Sequence, residues 1–176
     1  MEMHGKHNMQ EVMDVMPYGL YIVGSHNGGD FDGMMADWVM QVSFQPRMLA
    51  VAFENDARTL ENIRATGMFS VNLLSEEEAS MALAAKFAQP YYDAKVQGRA
   101  DTLTRTHHKL DTVPHTETAN GNPVLDRAMA WLECRLHQII PSGDHTLIIG
   151  KVEDGALVRE DVAPLTSTYT GWNYSG

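Results

Sequence analysis

Three stretches of this chain carry residue types whose order suits chemistry rather than packing. The first is Asp32-Gly33-Met34-Met35-Ala36-Asp37-Trp38-Val39-Met40-Gln41-Val42-Ser43-Phe44-Gln45-Pro46, a turn joined to a strand in a way that ordinary core packing does not require. Gly33 lets the backbone approach a flat ligand closely, and residues 39–44 alternate apolar and polar like a half-buried strand, closed by Pro46. The second is Glu54-Asn55-Asp56-Ala57-Arg58-Thr59, where a strand gives way to a helix. Free amides at the helix start and the Arg58 guanidinium would together hold a phosphate; the plainer reading is a capped helix with one surface arginine. The third is Ser142-Gly143-Asp144-His145, a tight turn that sets an imidazole at a strand mouth. Such an imidazole can donate to a polar ligand atom or shuttle a proton, the alternative being a hydrogen-bonded structural histidine.

The other reactive residues make weaker patterns. His107, His108 and His115 lack the helical or strand spacing that converges ligands on a metal, and no metal site is expected. His4 and His7 fall in a polar start, with 1–8 expected as a flexible tail. The twelve methionines are read mainly as core filler. No Gly-x-Gly-x-x-Gly, Walker loop or Gly-x-Ser-x-Gly elbow occurs, so the chemistries that depend on them lack their signatures.

The elements that must position these groups follow from local pattern. A chain of 176 residues suits one domain, 1–176, with enough core to fold without disulfides or metals. A short helix is expected over 9–16, then strands over 18–25, 39–44, 48–53 and 68–74. Thr59 is expected to cap a helix that Gly67 closes, and Ser75 to cap another running to 88. Residues 91–122 read as a long surface excursion rather than core. Strands return over 130–140 and 145–152, and Glu153-Asp154-Gly155 reads as a tight turn into 156–158. Five or six strands with short helices, in no strict alternation, predict a mainly β barrel or sandwich.

Composition narrows the partners. Thirteen basic against twenty-three acidic residues leave a formal charge of -10, which disfavours nucleic acid and anionic lipid. No run of about 18 apolar residues is present, so no membrane association is expected. Cys134 is alone, which excludes an intrachain disulfide and points to a reducing, cytoplasmic setting.

Five motifs, taken in order, resemble the flavin reductase-like family of FMN-binding split barrels: Pro17-Tyr18-Gly19-Leu20-Tyr21-Ile22-Val23, Gly33 to Pro46, Asn55 to Thr59, Phe69-Ser70-Val71-Asn72-Leu73-Leu74, and Gly143-Asp144-His145-Thr146-Leu147-Ile148-Ile149-Gly150-Lys151-Val152. The resemblance implies a Greek-key split β-barrel that pairs into a homodimer, with FMN near the dimer interface. By the same resemblance Gly33, Met34, Met35, Ala36, Asp37 and Trp38 line the isoalloxazine. Gln41, Val42 and Ser43 meet the ribityl chain or phosphate, Asn55, Arg58 and Thr59 complete the phosphate site, and His145 lies near the flavin or the nicotinamide.

Many relatives carry Thr or Ser where Met35 and Asp37 stand, so backbone contacts would replace a side-chain hydrogen bond, and Asp37 would set a negative charge beside reduced flavin. The implied activity is hydride transfer from NADH or NADPH to flavin, with a monooxygenase or redox protein as partner. The alternative is an electron carrier of the flavoredoxin type, reduced by a protein.

Overall fold

The computed structural model describes residues 8–92 and 106–174. Its centre is a seven-stranded antiparallel sheet of β1 (Tyr21–Asn27), β2 (Asp30–Ala36), β3 (Val39–Phe44), β4 (Arg47–Glu54), β5 (Met68–Leu73), β8 (Ala130–Ser142) and β9 (His145–Leu157), in the order β2-β1-β5-β8-β9-β4-β3. A separate pair, β6 (His115–Glu117) and β7 (Pro123–Leu125), stands outside it. The sheet does not close on itself: β2 and β3 are its ends, with only Asp37 and Trp38 between them in sequence. This is the mainly β, Greek-key split barrel with short helices that the motifs imply.

The strands form where the apolar pattern demands it. Val23, Val51, Phe53, Phe69, Val71, Cys134 and Ile148 face one another inside the coil as a single core. Helix α2 (Arg58–Thr66) drops Leu60 and Ile63 into that core, each fully buried and worth roughly 2 kcal/mol. It ends at Gly67, whose φ of 71° is the left-handed cap expected there. A second core lies outside β1 and β2, where helix α3 (Glu78–Phe87) packs Leu83, Ala84 and Phe87 against Leu20, Ile22, Leu110 and Leu125. Two short helices, α1 (Met9–Met13) and α4 (Ser167–Thr170), lie near the ends of the chain.

Several local expectations give way to tertiary context. Asp32 to Ala36 is not a turn but the body of β2, paired residue for residue with β1; the turn is Gly28-Gly29, both at positive φ. The space at Gly33 is taken by packing: a Cβ there would lie 2.8 Å from the Phe87 ring. Residues 153–155 do not turn either, since β9 runs unbroken through them and absorbs Glu153 as a bulge against β8.

Ala57, not Thr59, is the N-cap of α2, because the Thr59 hydroxyl is drawn to the buried Asp32, 2.6 Å away. Ser75 bridges to Pro164, so α3 starts later, capped at Glu77. Within 91–122 the described residues are not all surface: a 3-10 turn, Lys109–Thr112, buries Leu110 in the second core, and β6 follows it. Residues 1–7 of the expected tail lie outside the described residues, while Asn8 caps α1 in a reciprocal box with Glu11. Among the described residues no helix is long and apolar enough to cross a membrane.

Candidate functional site

At the mouth where β4 meets β9, the register sets Glu54 opposite His145. The chain then enters the loop 55–57 before α2, and this loop is tied to the β8–β9 turn. The Asn55 amide nitrogen donates to Gly143 O at 3.0 Å, its backbone N–H to Asp144 O at 3.0 Å, and its Oδ1 accepts from the Thr146 hydroxyl at 2.8 Å. Asn55 is therefore the clamp that fixes the His145 turn against the helix start.

Trp38 closes the other side. Its carbonyl accepts from Ala52 N, anchoring the β2–β3 junction to β4, and its indole packs on the His145 ring at 4.8 Å and on Tyr174 at 5.3 Å. His145 is largely buried, with Nδ1 at 2.7 Å from Asp144 Oδ1 and Nε2 at 3.2 Å from the Tyr174 hydroxyl, which in turn donates to Glu54. The hydrogen bond from His145 holds the Asp144 carboxyl below the usual carboxylate range.

The expected phosphate residues separate. Ala57 supplies no side-chain cap, so the first amides of α2 are left for another acceptor. Arg58 lies beside them, its terminal nitrogens shared between Glu61 at 3.0 Å and Asp30 at 3.5 Å, with the guanidinium over the Tyr91 ring. Thr59 is buried on Asp32 and turned away from solvent. Burial raises the Asp32 pKa and lowers that of Lys109, which sits 2% exposed and donates to Phe87 O and Gln89 O at the end of α3.

The remaining candidates lie on the two ends of the sheet. On β2, Met34 and Ala36 join the inner core, while Met35 packs on the outer one beside Gly33 and Phe87. Asp37 is buried at the junction. On β3, the Gln41 side chain donates to Ser43 O, and Val42 is the extra residue of a bulge between them. Asn55, Trp38 and His145 thus gather round one mouth, Arg58 at the start of α2 is turned toward Asp30, Glu61 and Tyr91, and Gly33 and Thr59 pack inside.

Sequence reasoning missed Glu54 and Tyr174 as members of this cluster. The signal for Tyr174 was the aromatic run Tyr169, Trp172, Tyr174 near the end of the chain. Cys134 is excluded as a nucleophile, since burial pushes its thiol up to about 12. Among the described residues no three His, Cys, Asp or Glu side chains converge as a metal site.

The residues present suit a flat, polar-edged ring carrying a phosphate. Four buried side-chain polar atoms lack a partner among the described residues, and two of them are donors, Trp38 Nε1 at this mouth and Arg58 Nε at the start of α2. A flavin offers acceptors of both kinds, on the ring edge and on the phosphate.

Comparison with known proteins agrees. The chain is 29% identical over 160 residues to a high molecular weight rubredoxin of Moorella thermoacetica, covering 90% of this chain and 64% of that one. It is 28% identical over 144 residues to diflavin flavoprotein A 1 of a Synechocystis strain, covering 81% and 23%. Several other relatives are also longer, and the chain spans 25% of one and 56% of another. Among solved structures, the styrene monooxygenase flavin reductase of Pseudomonas putida S12 superimposes with a TM-score of 0.71 at 24% identity, over 91% of each chain. The family described as Flavin reductase like domain matches residues 13–173, nearly the whole sequence, and this chain belongs to it.

Proposed function

We propose that this chain is an FMN-binding oxidoreductase that takes hydride from NADH or NADPH, acts as a homodimer, and supplies reduced flavin to a monooxygenase or redox protein. The observation that carries the reading is two buried donors without a partner among the described residues, Trp38 Nε1 on the His145 ring and Arg58 Nε at the uncapped start of α2. The flavin supplies the hydride-accepting chemistry when bound. Trp38 covers one ring face and offers its indole N–H, Asn55 holds the His145 turn in register, and Arg58 with the first amides of α2 neutralises the phosphate. Gln41, Val42 and Ser43 border the ribityl chain on β3, with Met34, Ala36 and Asp37 behind the ring and Met35 backing the same strand from the outer core. His145 orders the nicotinamide side. A partner copy would cover the bare outer end of β3.

Anaerobic mixing of FMN-loaded protein with NADH and then NADPH, followed at the oxidised flavin band, tests this. Rapid bleaching by either is expected. The similarity to a rubredoxin and a diflavin flavoprotein favours a second reading, an electron carrier fed by a protein. Tight FMN binding with no bleaching by either nucleotide would select it, and no saturable FMN binding would sink both.

A further inference from the structure

His145 has no ring nitrogen free to face a ligand. Nδ1 lies 2.7 Å from Asp144 Oδ1, and Nε2 lies 3.2 Å from the hydroxyl of Tyr174, more than one turn of chain beyond the last element. A phenol carries one hydrogen, and here that hydrogen is directed to Glu54 Oε1 across 2.5 Å. The Tyr174 oxygen therefore presents a lone pair to Nε2, and the Asp144 carboxylate can only accept from Nδ1, so the two contacts are complete together when each ring nitrogen carries a hydrogen. The Tyr174 ring is held in place by Trp38, at 5.3 Å and 56°, and meets the imidazole edge to face at 6.2 Å and 73°.

We infer that Tyr174 is the positioning residue for His145: oriented by Glu54, it fixes Nε2 as an inward-pointing donor and turns the imidazole so that its ring, not a nitrogen, borders the cleft. Three separate parts of the chain meet in this one arrangement, the end of β4, the start of β9 and the C-terminal segment. The inference rests on the reading of this mouth as the ligand site. It changes what His145 does there, from proton donor to an oriented wall that the C-terminal segment locks. A protonating role for His145 would require Tyr174 to leave first.

Long-range 1H–15N spectra of the His145 ring in flavin-free protein test the inference without reference to turnover. The wild type is expected to show a protonated Nε2 with a slowly exchanging hydrogen. Tyr174→Phe keeps the aromatic packing and is expected to lose that protected hydrogen, and Glu54→Gln to weaken its protection. Superimposable His145 signals in wild type and Tyr174→Phe would overturn the inference, as would a protected hydrogen that survives in Glu54→Gln unchanged. Should Tyr174→Phe not fold, Glu54→Gln carries the test alone. Absence of saturable FMN binding by the wild type, measured alongside, would instead count against the proposed function and leave the ring spectra to judge Tyr174.

Discussion

The two ends of the sheet are built from the same kind of strand and treated in opposite ways. At the β2 end the chain covers itself: α3 and the 3-10 turn lie over β2, Phe87 fills the space that Gly33 leaves, and Lys109 reaches over to the last carbonyls of α3. At the β3 end none of the described residues covers the outer strand, and Met40 and Phe44 are 65% and 87% exposed. A bare, apolar sheet edge is a template for association unless something is meant to lie on it. The sealed end therefore stabilises the fold, while the open end is where the proposed partner copy would lie, with the candidate site at the junction between them.

Removing the seal should have the largest effect. Phe87→Ala is expected to cost about 3–5 kcal/mol, read as a lowered urea midpoint. Gly33→Ala should cost about 1–3 kcal/mol through overpacking on Phe87, and most of that cost should vanish in the Gly33→Ala, Phe87→Ala double variant. A full, additive cost in the double variant would show that the glycine is there for another reason. At the junction, Trp38→Phe keeps the ring and deletes Nε1–H. It should weaken FMN binding by about 1 kcal/mol, roughly fivefold, by fluorescence titration.

The open end should respond in the reverse sense. Phe44→Ser is expected to leave stability within about 0.5 kcal/mol while shifting sedimentation toward the monomer; a stability loss equal to that of Phe87→Ala would erase the distinction between the two ends. The smallest effect is electrostatic. Hydrogen bonds from Arg159 hold Glu77, the N-cap of α3, below its usual pKa. That contribution is present above the unfolded glutamate value and is lost as pH falls through the lower folded one. Arg159→Met should flatten the acid limb of the stability curve and leave neutral pH nearly unchanged.

The strands that alternate or run apolar were legible from the sequence because their pattern is local: β3 is residues 39–44 as read, and β4 and β5 lie within a residue or two. What failed was decided by distant partners. Gly33 and its neighbours have turn composition, yet β1 pairs with them and Phe87 accounts for the glycine. Glu153-Asp154-Gly155 has the makings of a hairpin turn, but β8 is long enough to carry β9 straight past it. Thr59 is a good cap in isolation and loses to the pull of buried Asp32. At the candidate site, Asn55, Arg58 and His145 were singled out by helix-start and turn composition, and Trp38 by the family resemblance. Glu54 and Tyr174 were not, since their meeting depends on where a C-terminal segment without periodicity comes to rest.

The bond from Thr106 N to Pro90 O, at 2.8 Å, and the stacking of His107 on Tyr91 at 4.1 Å join residues 90–91 to residues 106–107. The two segments are thus stapled together beside Arg58. A chain cut there and refilled with a different length would meet the same staple, and doubling the inserted length adds only about 0.6 kcal/mol of closure entropy. The staple is in that sense a hinge pin for chain length: it keeps the frame beside Arg58 whatever number of residues separates its two halves.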